Sequence, residues 1–252
     1  MLKLSVKFFL FIFYCITSNT SIAETKNILV TSANPLASNA GMNILLNGGN
    51  AIDAAIALQL VLNLVEPQSS GVGGGGFLLY YDNKKKNIVF YDGRETAPSK
   101  IVRRDFLDKK GEPLPFFDNA IGGLAVGVPG LISMLELAHK EYGTMEWKNL
   151  FEPAINLSLK GFPISSRLHN QIKKDNYLYL IPKASKYFYT DLRNPKNEGF
   201  FLKNKEFAKT LKIISIKGSQ GFYQGNLAKE IISTVQQSTI RQGVMNLKDL
   251  EK

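Results

Sequence analysis

The chain has 252 residues, 44% of them apolar and 21% charged, with 31 basic side chains against 21 acidic and a formal charge of +10. This composition suits a globular protein of one large or two small domains and argues against a disordered, collagenous or coiled-coil chain. The positive balance admits a nucleic-acid or anionic-membrane surface, or lysines scattered over solvated faces. The scattered reading fits better: there is no recognition helix, no zinc-ligand spacing and no basic run longer than Lys84–Lys86.

Lys3 and Lys7 precede an apolar run from Phe8 to Ile16, and Ser21-Ile22-Ala23 closes the segment with a small-x-small pattern. Residues 1–23 read as a secretory signal peptide cleaved after Ala23, too short in its apolar part for a comfortable membrane anchor. Removing it takes away two lysines and leaves a charge of +8. The only cysteine, Cys15, goes with it. The mature chain therefore has no disulfide, no thiolate nucleophile and no cysteine-ligated metal site. A soluble periplasmic or secreted product is expected, with no cofactor and no metal. The two histidines, His139 and His169, lack the spacing of a zinc site, and no Gly-x-Ser-x-Gly elbow is present. His139 falls in a helical stretch and reads as a surface or interface residue.

Asn27–Ser32 reads as a short strand. Ala37–Asn47 reads as a helix stopped by Gly48-Gly49. Asn50 is placed to cap a second helix over Ala51–Asn63, with Asp53 in its first turn. That helix is apolar on nearly every side and too short for a membrane, so it belongs in the core. Phe77–Asp82 and Asn87–Asp92 read as strands of a hairpin joined by four polar residues. Beyond Gly122, Pro129 is placed at the first position of a helix reaching Tyr142, and Thr144 as the cap of another over Met145–Lys160, ended by Gly161 and Pro163. Ser165–Lys174, Asn204–Lys217, Leu227–Gln237 and Leu247–Glu251 are helical in pattern. Asp175–Gly199, polar and tyrosine-rich, reads as a long surface loop. The last helix has barely begun when the sequence stops, which predicts truncation within a longer polypeptide. The mature chain divides into a helix–helix–hairpin part, residues 24–121, and a mainly helical part, residues 122–252.

Two segments carry candidate chemistry. Gly71–Gly76 contains a literal G-x-G-x-x-G, but it follows a helix and precedes a strand, the reverse of a dinucleotide site. It reads as a close-packed turn where a side chain would clash, or as a nest of backbone amides for an anionic ligand. In Asp92-Gly93-Arg94-Glu95-Thr96-Ala97-Pro98, Arg94 stands at a strand end after a glycine. Its planar fork matches a carboxylate; equally, its acidic neighbours would suit a structural ion pair.

Asn47-Gly48-Gly49-Asn50-Ala51-Ile52-Asp53-Ala54-Ala55 resembles a signature of the γ-glutamyltransferase (γ-glutamyltranspeptidase) family. Glu66–Phe77 resembles that family's glycine-rich loop, and Asp92–Pro98 its substrate-arginine motif. Gly122–Gly130, Trp147 to Ala154, Gly161-Phe162-Pro163 and Gly221-Phe222-Tyr223-Gln224-Gly225 continue the likeness in the family's order. One departure is Asn34, where many members have His. The resemblance implies an α/β fold, the N-terminal-nucleophile hydrolase α/β/β/α sandwich, present here only as a large-subunit portion. It implies a zymogen that cleaves itself into large and small subunits. The freed N-terminal threonine of the small subunit then attacks the γ-glutamyl amide of glutathione or a related compound, with its own α-amine as base. Water, or an amino-acid or peptide acceptor, resolves the acyl-enzyme. By the same resemblance Arg94 holds the α-carboxylate of the γ-glutamyl group. The nucleophile, oxyanion donors and α-amino ligands would lie downstream of Lys252, so no catalytic residue is expected within these residues and the chain alone should be inactive. Two alternatives stand beside this reading: a cephalosporin (β-lactam) acylase of the same fold, which Arg94 disfavours, and a non-catalytic binding protein built on the large-subunit scaffold.

Overall fold

The computed structural model describes residues 28–251; the expected signal peptide lies outside them. The chain opens with two helices, α1 (Pro35–Leu46) and α2 (Ala51–Val65). Asn34 caps α1, its side chain accepting from the Leu36 amide. Asn50 caps α2 in a reciprocal box, its side chain accepting from the amides of Ile52 and Asp53 while the Asp53 carboxylate accepts from the Asn50 backbone amide. Such a box satisfies donors that a helix start leaves unpaired. The turn between the helices needs Gly48, whose φ of 92° is costly for any side chain with a Cβ. The strands β1 (Phe77–Asp82) and β2 (Asn87–Asp92) pair antiparallel, with Phe77 opposite Asp92 and Asp82 opposite Asn87.

Next come α3 (Phe116–Ala120), α4 (Leu131–Tyr142), α5 (Glu152–Lys160), the short β3 (Phe162–Pro163), α6 (Ser166–Lys174) and α7 (Pro182–Phe188). The small strands β4 (Tyr189–Asp191), β5 (Asn194–Pro195) and β6 (Phe201–Leu202) follow, then α8 (Lys205–Lys217), α9 (Gln220–Tyr223), α10 (Gly225–Gln236) and α11 (Leu247–Leu250). Here β3 pairs with β6, and β4 with β5. Ser165, Asn204 and Asn246 cap α6, α8 and α11 with their side chains.

Helix α2 lies at the centre. Ile56, Ala57, Leu60 and Val61 are fully buried, in one hydrophobic cluster with Ile132 of α4, Phe151, Phe162, Leu211 of α8 and Phe222 of α9. This cluster draws on both halves of the chain. A smaller cluster joins Ala228, Ile232 and Val235 of α10 to Met245 and Leu250. The β1–β2 hairpin turns Tyr91 into the large cluster. Its other face leaves Phe77, Leu79, Tyr81, Ile88 and Phe90 more than half exposed, five large apolar groups on one side of a two-stranded ribbon.

Several expectations are corrected. Residues 28–32 form no strand: the segment is irregular, with Leu29 87% exposed. Pro129 precedes the cap of α4, which is Gly130. Residues 145–160 are not one helix but a 3-10 turn, Trp147–Phe151, followed by α5 with Pro153 in its first turn. A proline ring clashes with the preceding helical turn, so a continuous helix through that position is disfavoured. Thr144 caps nothing locally; its hydroxyl is drawn away to Asp53. His139 is not a surface residue: its side chain is only 15% exposed, with Nε2 2.9 Å from the Met145 carbonyl oxygen and 3.8 Å from Asp53 Oδ1 and the ring against Trp147. The supposed loop 175–199 contains α7 and the β4–β5 pair. The cap at Asn50 and both strands of the hairpin lie where the sequence predicts them.

Candidate functional site

Arg94 begins where β2 ends. The ladder runs one step past the strands, with Gly76 and Gly93 exchanging backbone hydrogen bonds at 3.1 and 2.9 Å. On the far side, Thr96 and Val128 exchange another pair at 3.3 and 2.8 Å. Arg94 and Glu95 are thus the two residues between two fixed points of main chain. The Asp92 carboxylate tightens the turn by accepting from the Arg94 amide at 2.9 Å.

The glycines beneath this turn are there for closeness. A Cβ on Gly93 would stand 2.6 Å from Met134 Cβ, and one on Gly130 would stand 2.4 Å from the Gly93 carbonyl oxygen. The strand end is therefore pressed directly onto the start of α4. The Gly74 carbonyl oxygen accepts from the amides of both Gly130 and Leu131 at 3.1 Å, which satisfies donors at that helix start. Of the two readings of the glycine loop, these contacts support the close-packed turn. The amides of Gly74 and Gly76 are used within the protein.

The Arg94 side chain stands on a ridge between two clefts. One, of about 640 Å³, is also lined by Ser133, Gln220 and Tyr223. The other, of about 510 Å³, lies toward Phe106, Asn119 and Leu124. Its side chain is 69% exposed, and Nε lies 3.6 Å from Glu95 Oε2. That distance is too long for a hydrogen bond. The two acidic neighbours therefore do different work: Asp92 holds the backbone and Glu95 faces one edge of the guanidinium. Arginine remains charged at any working pH, so the ridge presents a permanent cation that the protein itself only partly neutralises. In the same cleft, burial pushes the Tyr223 phenol up to about 12, and its hydroxyl lies 3.4 Å from the Ser133 amide. Tyr223 stays a neutral wall at neutral pH.

Arg94 was the sequence-predicted site residue, and the structure places it at the cleft. Ser133 and Gln220 carried no signal as site residues; Tyr223 lies in a motif that named no role for it.

The sequence model of the Gamma-glutamyltranspeptidase family matches residues 37–252. The glutathione hydrolase proenzyme of Bacillus subtilis (strain 168) is 44% identical over 226 residues, which is 90% of this chain and 38% of that protein. The crystal structure of Helicobacter pylori gamma-glutamyltranspeptidase superimposes with a TM-score of 0.85 at 37% identity, over 90% of this chain and 64% of that one. The Pseudomonas nitroreducens gamma-glutamyltranspeptidase complexed with L-DON gives 0.80 at 31% identity, over 90% and 65%. The chain thus spans well under half the length of the curated relative. The architecture is the α/β fold of the N-terminal-nucleophile hydrolases, to which the described residues bring the β1–β2 hairpin and the helices packed on its inner face.

Proposed function

Because this chain belongs to the gamma-glutamyltranspeptidase family, we propose that it is the large-subunit portion of an enzyme that cleaves the γ-glutamyl amide of glutathione and related compounds. The γ-glutamyl group passes through an acyl-enzyme to water or to an amino-acid or peptide acceptor. The observation that carries this reading is Arg94, an exposed guanidinium on a rigid turn between two clefts. A γ-glutamyl group carries an α-carboxylate that takes no part in bond making. A planar fork of donors is suited to grip it and thereby aim the scissile amide. The same feature favours this substrate over a β-lactam.

The nucleophile belongs to the small subunit, produced from the same precursor. The apolar outer face of the hairpin supports such a partner: Phe77, Leu79, Tyr81, Ile88 and Phe90 form a patch of the kind that monomeric surfaces avoid. No helix among the described residues is long and apolar enough to cross a membrane. With the signal sequence at residues 1–23, we place the processed enzyme in the periplasm or outside the cell.

The experiment is a comparison of two proteins. The chain extended through a small-subunit region should mature by self-cleavage and release glutamate from glutathione, while the 252-residue chain alone should do neither. Glutamate release by the 252-residue chain, or none by a matured extended protein, overturns the proposal.

A further inference from the structure

Two excursions, residues 101–121 and 175–199, meet through aromatic rings. Phe117 of α3 stacks on Tyr177 with ring centroids 5.3 Å apart, and Phe116 meets Phe117 edge-on at the same distance. A 3-10 turn, Leu178–Leu180, follows Tyr177, and the Leu180 amide donates to the Tyr177 carbonyl oxygen at 2.9 Å. Leu180 and Ile181 therefore stand beside the aromatic pair. Phe116 is 75% exposed, and Phe117, Leu180 and Ile181 are about half exposed. These four side chains belong to neither hydrophobic cluster, and none of them lines either cleft beside Arg94. An apolar patch that serves neither the core nor the site calls for a partner.

Charge narrows the choice of partner. The lysines are dispersed along the sequence, but Lys173, Lys174, Lys183 and Lys186 fall within a few residues of Tyr177 and are all exposed. None of the four forms an ion pair among the described residues. The single acid in residues 173–186 is Asp175, and it is turned to its own backbone, accepting from the Tyr177 and Leu178 amides at 2.7 and 2.5 Å. Residues 101–121 are balanced, with four basic and four acidic groups. The patch is thus apolar at its centre and basic along one flank. A second copy of the chain would bring like charges together, which opposes self-association. A bilayer surface suits both features. Aromatic rings settle at headgroup level, lysine stems lie along apolar surface while their ammonium heads stay with the polar groups, and anionic lipid attracts each exposed cation.

We propose that Phe116, Phe117, Leu180 and Ile181, with the lysines beside them, form a peripheral docking surface for an anionic lipid bilayer. The contact is salt-reversible and inserts no helix. It is independent of the assignment of Arg94.

The test uses the matured full-length enzyme, sedimented with vesicles of phosphatidylcholine alone or mixed with phosphatidylglycerol. The enzyme should bind the mixed vesicles, bind the neutral ones roughly tenfold or more less tightly, and be released by high salt. Lys173→Glu/Lys174→Glu/Lys183→Glu should weaken binding to mixed vesicles by roughly tenfold or more. Phe116→Ser/Phe117→Ser should do so by roughly tenfold, and Phe116→Ser alone, which removes only the more exposed ring, by roughly threefold. Glutamate release from glutathione should stay within about twofold in all three variants, as expected of surface substitutions away from the site. No binding by the wild-type enzyme would mean that the patch is covered once the enzyme is assembled. Equal binding to both kinds of vesicle, or unchanged binding in the lysine and phenylalanine variants, would place the contact elsewhere. Soluble polyaspartate that competes fully with the vesicles, and binds the phenylalanine variants as well as the wild type, would mark a site for an acidic protein. Each of these results overturns the proposal.

Discussion

Thr144 donates its hydroxyl to Asp53 Oδ2 at 2.6 Å, joining residues 91 positions apart. The same carboxylate, completely buried, accepts from the backbone amides of Asn50, Thr144 and Met145. It ties the start of α2 to the turn that follows α4. Asp53→Ala would leave these donors buried without an acceptor, each costing on the order of 1 kcal/mol or more. We expect a loss of about 3–4 kcal/mol in unfolding free energy. Thr144→Val, which removes one donor, should cost about 1 kcal/mol. Urea unfolding followed by the fluorescence of Trp147, which packs against His139 beside this junction, measures both. A loss under about 1 kcal/mol for Asp53→Ala would remove Asp53 from this role.

Within the glycine run, individual positions should separate cleanly. A Cβ on Gly75 meets the Gly93 carbonyl oxygen at 2.4 Å, whereas nothing lies within 4 Å of one on Gly73. Gly75→Ala should therefore cost about 1–3 kcal/mol through forced backbone movement. Gly73→Ala should be neutral or slightly stabilising, because it restricts only the unfolded chain. Equal urea midpoints for the two variants would refute the close-packing reading of this loop.

What was legible beforehand divides along physical lines. Helix caps are local, so Asn50 could be read from its own neighbourhood. So could the hairpin, whose two β-rich runs flank four polar residues. A strand, by contrast, is a property of a pair. Residues 28–32 have the composition but no partner strand among the described residues. Thr144 has the chemistry of a cap, but a buried carboxylate from another element outcompetes the local amides. In residues 175–199 there is no hydrophobic period to read, because α7 spans only seven residues. At the site, Arg94 was visible as part of a motif. The close approach of Gly75 and Gly127 to Glu95 was not, because it joins segments far apart in sequence.

Glu136 offers a test in pH. Burial raises its pKa, but hydrogen bonds from Lys140 and Ser219 outweigh that and hold the carboxyl below the ordinary 4.5. Ser219 contributes both its amide, at 3.1 Å, and its hydroxyl, at 2.7 Å. A carboxylate with a depressed folded pKa stabilises fully above the unfolded value, and its contribution disappears as pH falls through the folded one. Glu136→Gln should therefore cost about 1–2 kcal/mol near neutral pH, and the gap between the two proteins should narrow on acidification below about pH 4.5. Urea midpoints across that range decide it; a gap independent of pH would mean that the charge is not what the Lys140 and Ser219 contacts recognise.

Export makes a separate prediction. Protein recovered from a secreting host should begin at Glu24, in the soluble fraction, as N-terminal sequencing would show. Recovery of membrane-bound protein that retains Met1–Ala23 would rule out cleavage at this position.

The strongest prediction concerns Arg94 in the matured full-length enzyme. The α-carboxylate of a γ-glutamyl donor lies several bonds from the scissile amide, so its grip can matter only by fixing orientation. Correct placement of a reacting carbonyl contributes several kcal/mol to catalysis. Removing one partner of a desolvated charge pair costs on the order of 2–5 kcal/mol. At about 1.4 kcal/mol per decade, Arg94→Ala should lower kcat/KM for γ-glutamyl donors by roughly two to four orders of magnitude. Arg94→Lys should restore only part, since a point charge cannot reproduce two parallel hydrogen bonds from one plane. Self-cleavage should proceed normally in both variants, because it uses no substrate carboxylate. The competing view makes Arg94 a structural partner of Glu95. It predicts the reverse pattern: reduced maturation, with near-normal kinetics in whatever matures. Measuring self-cleavage and kcat/KM on one preparation of Arg94→Ala therefore separates the two, and intact kinetics in matured enzyme would end the assignment of Arg94 to the substrate.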